Sequence, residues 1–190
     1  MEFLVGLTDQ WLVGIGGDSI ARVIDPETGE LLAILEPAEV YQRGSQVTAD
    51  ASTVFLASWS DFGRVWMFDT TNWDGESWRA HEEGVRGFAL SPDGSMLATT
   101  GEDDFVEIWS LPDHTLLDKI PADFPSDAMW IDDDTMGIAR AQGARWAVVS
   151  LDVQELLAQA RASVTRTFSA EECTLYGIDP CPTLKEMRGL

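Results

Sequence analysis

Apolar and polar positions alternate with a period of two through most of the first ~150 residues, in short stretches broken by turn-forming residues. Trp11 to Ile15, Ile20 to Ile24 and Leu31 to Leu35 are separated by Gly16-Gly17-Asp18 and by Pro26-Glu27-Thr28-Gly29. Val85, Phe88 and Leu90 precede Ser91-Pro92-Asp93-Gly94, where proline presets φ and glycine accepts a positive one, so a hairpin is predicted there. Phe105-Val106-Glu107-Ile108-Trp109 mixes β-branched and aromatic residues with a charge, and Thr115 to Ile120 supplies an outer strand. Beyond Leu151 the period changes. Val153, Leu156, Leu157, Ala160 and Val164 share one helical face, with Asp152 and Glu155 placed to cap it, which predicts a helix over about 153–164. Ser169 and Glu172 repeat the capping pattern ahead of a short second helix ending near Gly177. The pattern therefore predicts an all-β region followed by a short α-helical tail.

The strands recur in a frame. With Trp109-Ser110-Leu111 as anchor, Ile24-Asp25, Phe68-Asp69 and Val149-Ser150-Leu151 fall in register at spacings of 44, 41 and 40 residues. The same frame puts Leu12, Leu56, Leu97 and Gly137 twelve residues ahead of their anchors. A repeat of this length, built of several short strands, is one supersecondary unit that must stack on neighbours to cover its apolar faces.

Residues 81 to 111, from His81 through Ser91-Pro92-Asp93-Gly94 to Trp109-Ser110-Leu111, resemble one blade of a WD40 β-propeller. The resemblance covers most of residues 1–151 and divides them into about four blades, near 1–36, 44–80, 85–121 and 126–151, with a tail at 152–190. It implies a structural hydrogen-bond chain of His81, Thr99, Asp103 and Trp109, because a buried indole N–H and a buried imidazole need partners. The other repeats depart from the pattern, with Ile24, Phe68 and Val149 in place of the Trp and Gly143 in place of the Asp. Four blades are fewer than complete rings of this family carry, and Phe3 aligns with Phe88, inside an innermost strand. An incomplete ring is the expectation, from a longer chain or from one that self-associates.

The tail is similar to a C-terminal segment of large actinobacterial WD40 signalling proteins. The matching residues are Arg166, Phe168-Ser169, Glu171-Glu172-Cys173, Tyr176 and Cys181-Pro182. That resemblance implies a sensory or regulatory propeller following a signal-transduction NTPase module, which is not among these residues.

Charge narrows the partners. A net charge of −21 opposes binding to phosphate backbones and anionic membranes, so nucleic acid is not expected as a partner. The longest apolar runs fall short of the roughly 20 residues that span a bilayer, and the first residues lack a signal-peptide pattern. Direct membrane insertion is not expected, and the expected location is cytoplasmic, or extracytoplasmic if an upstream segment crosses a membrane.

Sites of chemistry are sparse. Cys173 and Cys181 lie eight residues apart across a turn with Gly177 and Pro180, a spacing that permits a disulfide; two reduced thiols are the alternative. Two Cys and two His match no common zinc spacing. Gly14-Ile15-Gly16-Gly17-Asp18 lies between strands rather than before a helix, and reads as a turn and not a nucleotide loop. Asp132-Asp133-Asp134 occupies the hairpin position of Pro92-Asp93-Gly94 and lacks the spaced ligands of a calcium loop. Glu102, Asp103 and Asp104 also fall in a turn. No cofactor or metal is expected, and no catalytic residue is assigned. Trp59 lies in a strand before Asp61, and Trp73 and Trp78 bracket a linker between the second and third repeats. With Arg64, Arg86 and Arg145 these tryptophans form a candidate interaction surface.

Two functions follow. The first is a noncatalytic protein–protein interaction scaffold. The second is a hydrolytic enzyme using carboxylates in the central opening of a propeller, since fold alone does not fix function.

Overall fold

The computed structural model describes residues 3–35, 45–48, 50–57, 63–140 and 145–189. Contacts divide the chain into two compact units, Met1–Val149 and Ser150–Leu190. The fold is mostly β, with four antiparallel sheets in the first unit and three short helices near the C-terminus.

The first sheet holds β1 (Phe3–Leu7), β2 (Leu12–Ile15), β3 (Ala21–Ile24) and β4 (Leu31–Leu35). The second holds β5 (Ser45–Val47), β6 (Thr53–Ala57), β7 (Arg64–Asp69) and β8 (Gly75–Arg79). The third holds β9 (Val85–Leu90), β10 (Met96–Gly101), β11 (Phe105–Ser110) and β12 (Leu116–Pro121), and the fourth β13 (Pro125–Trp130), β14 (Thr135–Arg140) and β15 (Arg145–Ser150). Strands neighbour one another in chain order within every sheet. The first strands β1, β5, β9 and β13 also adjoin in turn, so the sheets succeed one another as blades.

Packing between blades explains the sequence of β6. Val54 and Leu56 pack into a core with Val13, Ile15 and Val23 of the first blade, whereas Phe55 and Ala57 join a core with Val85, Phe88 and Trp109 of the third. Successive side chains of a strand point to opposite faces, so a strand covered on both must be apolar throughout. All four residues are at most 1 % exposed, and each large one contributes about 1.5–3 kcal/mol by its burial.

The structure changes two details of the sequence frame. In the first and third blades Leu12 faces Ile24 and Leu97 faces Trp109, but in the second Val54 faces Phe68 while Leu56 faces Trp66. Val54, not Leu56, is therefore the counterpart of Leu97. The link from β6 to β7 has six residues against three from β10 to β11, and a slip of two keeps the same side chains on the same face. Trp73 and Trp78 do not lie in a linker: Trp73 is in the turn between β7 and β8, and Trp78 is within β8.

The second unit contains α1 (Val153–Ser163), α2 (Ala170–Tyr176) and α3 (Leu184–Met187). Asp152 caps α1 by accepting from the Gln154 N–H, one residue short of the capping box that Glu155 suggested. No residue of α1 is buried, and Leu156 and Leu157 on its apolar face are 44 and 42 % exposed. A reciprocal capping box of Ser169 and Glu172 starts α2, and Gly177, at φ 65°, ends it. The same box in Thr183 and Glu186 starts α3, which the sequence reading missed although the Thr-x-x-Glu signal was present. Arg166 makes two bonds to the Glu172 carboxylate, of 2.8 and 2.9 Å, and holds its pKa down to about 2. No helix among the described residues is long and apolar enough to cross a membrane.

Cys173 and Cys181 are joined by a disulfide with Cα atoms 5.7 Å apart. Closing so short a loop contributes about 2–3 kcal/mol. Reduction is expected to unravel α2, read as loss of Tyr176 near-ultraviolet circular dichroism. Tryptophan fluorescence should stay constant, since all eight Trp precede residue 150. An unchanged tyrosine signal after complete reduction would remove the disulfide from the account of this unit's stability.

Candidate functional site

The densest polar cluster is in the third blade. His81 follows β8, Thr99 lies in β10, Asp103 in the β10–β11 turn and Trp109 in β11. Trp109 Nε1–H donates to Thr99 Oγ1 at 3.1 Å, and Thr99 Oγ1 lies 2.9 Å from His81 Nε2. His81 Nδ1 lies 2.9 Å from Asp103 Oδ1. Indole is donor-only, so Trp109 donates to the Thr99 hydroxyl, which also lies 3.3 Å from the Glu107 carbonyl as a donor to it. His81 is held through both ring nitrogens, Nε2 by Thr99 and Nδ1 by Asp103. The Asp103 carboxylate also accepts from the Glu82 N–H at 3.2 Å. A Cβ on Gly101 would run into both His81 Nδ1 and Asp103 Oδ1, so glycine at the end of β10 leaves the space this pair fills.

One further pair lies beside this chain. Glu107 of β11 faces Lys119 of β12 across the sheet, and Lys119 Nζ donates to Glu107 Oε1 at 2.6 Å while lying 4.3 Å from the centre of the Phe105 ring. Glu107 is 3 % exposed, and its carboxylate holds the Lys119 pKa up. Ligand-capable atoms of His81, Asp103 and Glu107 lie within 4.8 Å of one another. The donor set suits a metal poorly, because His81 Nδ1 is engaged by Asp103 and the Lys119 ammonium already neutralises Glu107. This arrangement ties strands together, and it leaves the second Glu107 oxygen, Oε2, buried without a hydrogen-bond partner.

The described members of the candidate surface set lie in several different local contacts. Trp73 meets Trp11 edge-on with ring centres 5.5 Å apart, and Trp78 stacks on His114 at 4.3 Å and lies 6.1 Å from Trp109. Both are half-buried packing residues. Arg64 Nη1 donates to Ser77 Oγ at 3.0 Å. Arg86 lies 3.6 Å from the Glu102 carboxylate and 5.9 Å from the Phe124 ring centre. Arg145 opens β15, and Trp59 and Gly143 lie outside the described residues. Trp146 of β15 is exposed, at 60 %, beside Gly137 and Met129 on the fourth blade. Its position in a strand gave the sequence no sign that this face is uncovered.

These are stacked antiparallel blades of the β-propeller class. Residues 73–110 match the family model "WD domain, G-beta repeat". That stretch runs from the turn before β8 through β11, so one sequence repeat contributes the last strand of the second sheet and three strands of the third. His81 sits at the crossing. Among solved structures, Hsv2 of Kluyveromyces lactis is similar, with a TM-score of 0.64 and 14 % sequence identity over 82 % of this chain and 51 % of that one. The likeness is one of fold, and this chain matches about half the length of Hsv2. Among curated proteins, none matches it in sequence.

Proposed function

We propose that this chain is a noncatalytic protein–protein interaction scaffold, the sensory or regulatory part of a larger signalling protein. In this reading residues 1–151 are the repeat region that presents partners with blade rims, and 152–190 a helical tail. The observation that carries it is the engagement of the cluster around His81. His81 bonds to Thr99 and Asp103, Trp109 to Thr99 and Lys119 to Glu107, which favours a structural role for that chain and leaves the blade surfaces for other molecules to meet. The WD-repeat match favours binding over turnover, and the acidity of the chain favours a basic protein over nucleic acid or an anionic membrane. Expected location is the cytoplasm.

The test is chemical crosslinking of the full chain in lysate of its source, followed by identification of the adducts and reconstitution with the purified candidate. A stoichiometric complex with unaltered reactants supports the scaffold. Turnover of a hydrolysable substrate that vanishes in Asp103→Asn or Glu107→Gln, with folding intact, would replace it with the enzyme reading.

A further inference from the structure

Between the second and third blades opens a groove of about 640 Å³. Its apolar lining comes from Phe55, Met67, Leu90 and Leu111, and its exposed carboxylates are Asp50 and Asp93, one on each side. The two blades are joined at its wall, where the Leu90 N–H donates to Gln46 Oε1 at 3.0 Å. A second concavity of about 310 Å³ shares Thr53 and Met67 with the first and carries Asp69, Asp74 and Glu76. Neither is lined by a lysine or an arginine among the described residues.

Asp50, Asp69 and Asp93 are held charged at neutral pH. The Thr48 hydroxyl, then the Ser52 N–H and hydroxyl, hold Asp50 down to about 2. The Ser91 hydroxyl, followed by Ser95, lowers Asp93, and Thr71 lowers Asp69. These bonds also fix the turns that carry the charges, so a cationic group meets preplaced acceptors. Bare cations would gain nothing from the apolar floor. A side chain laid over the half-buried Met67 and Leu90 buries surface at about 25 cal/mol per Å².

We propose that the two concavities together are the docking site for an extended basic segment of a partner protein, with an apolar side chain over Met67 and Leu90 and a Lys or Arg on either side of it. The inference rests on the scaffold reading and names the chemistry of the partner. Because alternate side chains of an extended chain share a face, the pattern recognised is cation, any residue, apolar, any residue, cation.

Fluorescence anisotropy with the full chain and labelled Gly-Ser-Arg-Ser-Leu-Ser-Arg-Ser-Gly tests it. Peptides with both Arg changed to Glu, or with Leu changed to Ser, serve as controls. The Arg-Leu-Arg peptide is expected to bind and to weaken with salt, and each control to bind about fivefold or more weakly. Asp50→Asn with Asp93→Asn keeps the turn acceptors but removes the charge, and should weaken binding by about fivefold, as should Asp74→Asn with Glu76→Gln on the second rim. The second pair is exposed and in a separate turn and strand, so it reports even if the first disturbs folding. Equal binding of the Glu or Ser peptide, absence of binding, or indifference to both double variants overturns the proposal. A partner found by crosslinking that binds both double variants as tightly as the unaltered chain would leave the scaffold standing and remove the groove as its site.

Discussion

Replacement of Thr99 by valine is expected to lower the stability of the blade unit by about 2–4 kcal/mol. The substitution is nearly isosteric at a position with no exposed surface, so packing changes little. What goes is the hydroxyl that accepts from Trp109 Nε1 and is bonded to His81 Nε2. Both partners are buried, His81 at 2 % and Trp109 at 8 % exposure, and a buried polar atom left unpaired costs about 1–3 kcal/mol. Since His81 follows the last strand of the second blade while Thr99 and Asp103 belong to the third, the loss also loosens the join between them. Thr99→Ser keeps the hydroxyl and should lose about 1 kcal/mol, near the value of one buried methyl group. Urea unfolding followed by tryptophan fluorescence reads the blade unit. A valine variant within about 0.5 kcal/mol of the unaltered chain would mean that the chain of bonds contributes little net stability.

Truncation of Phe55 to alanine is expected to cost about 3–5 kcal/mol. Phe55 is 1 % exposed and meets Phe88 edge-on with ring centres 6.5 Å apart, in a core shared with Val65, Val85, Leu97 and Trp109. It is the largest fully buried side chain among the described residues and lies on the face of β6 turned toward the third blade. Stacked repeats depend on nearest-neighbour interfaces, so the cavity should weaken that interface more than the blades themselves. Hydrogen exchange is the sharper readout: amides of β5, β6 and β7 should lose protection before those of β9, β10 and β11. Loss spread equally over all four sheets would show that the blade unit unfolds as one cooperative block.

The apolar groove lining and acidic turns were plain as residue types, but not as neighbours. Leu90 and Gln46 are 44 residues apart in sequence, and only the packing of two blades brings them to 3.0 Å. Glu107 and Lys119 likewise read as two solvated charges on separate strands. Their pairing depends on a cross-strand register that a bulge between Ile108 and Trp109 adjusts locally.

Strand and turn punctuation, the count of blades and the caps of α1 and α2 were legible from the amino-acid sequence by itself. These follow from side-chain alternation, the φ preferences of Pro and Gly, and hydrogen bonds spanning three or four residues. His81, Thr99, Asp103 and Trp109 could be named because residues 81 to 111 resemble a WD40 blade, and that resemblance implies their hydrogen-bond chain. Tertiary structure alone decided that Val54 rather than Leu56 stands opposite Phe68, that Trp78 belongs to the second blade's last strand, and that Trp146 is left exposed. It also made β6 a strand covered on both faces and formed a groove between two blades. Each of these depends on which distant residues come to share a surface, and burial of that shared surface, rather than any local preference, selects among the registers and neighbours the same pattern allows.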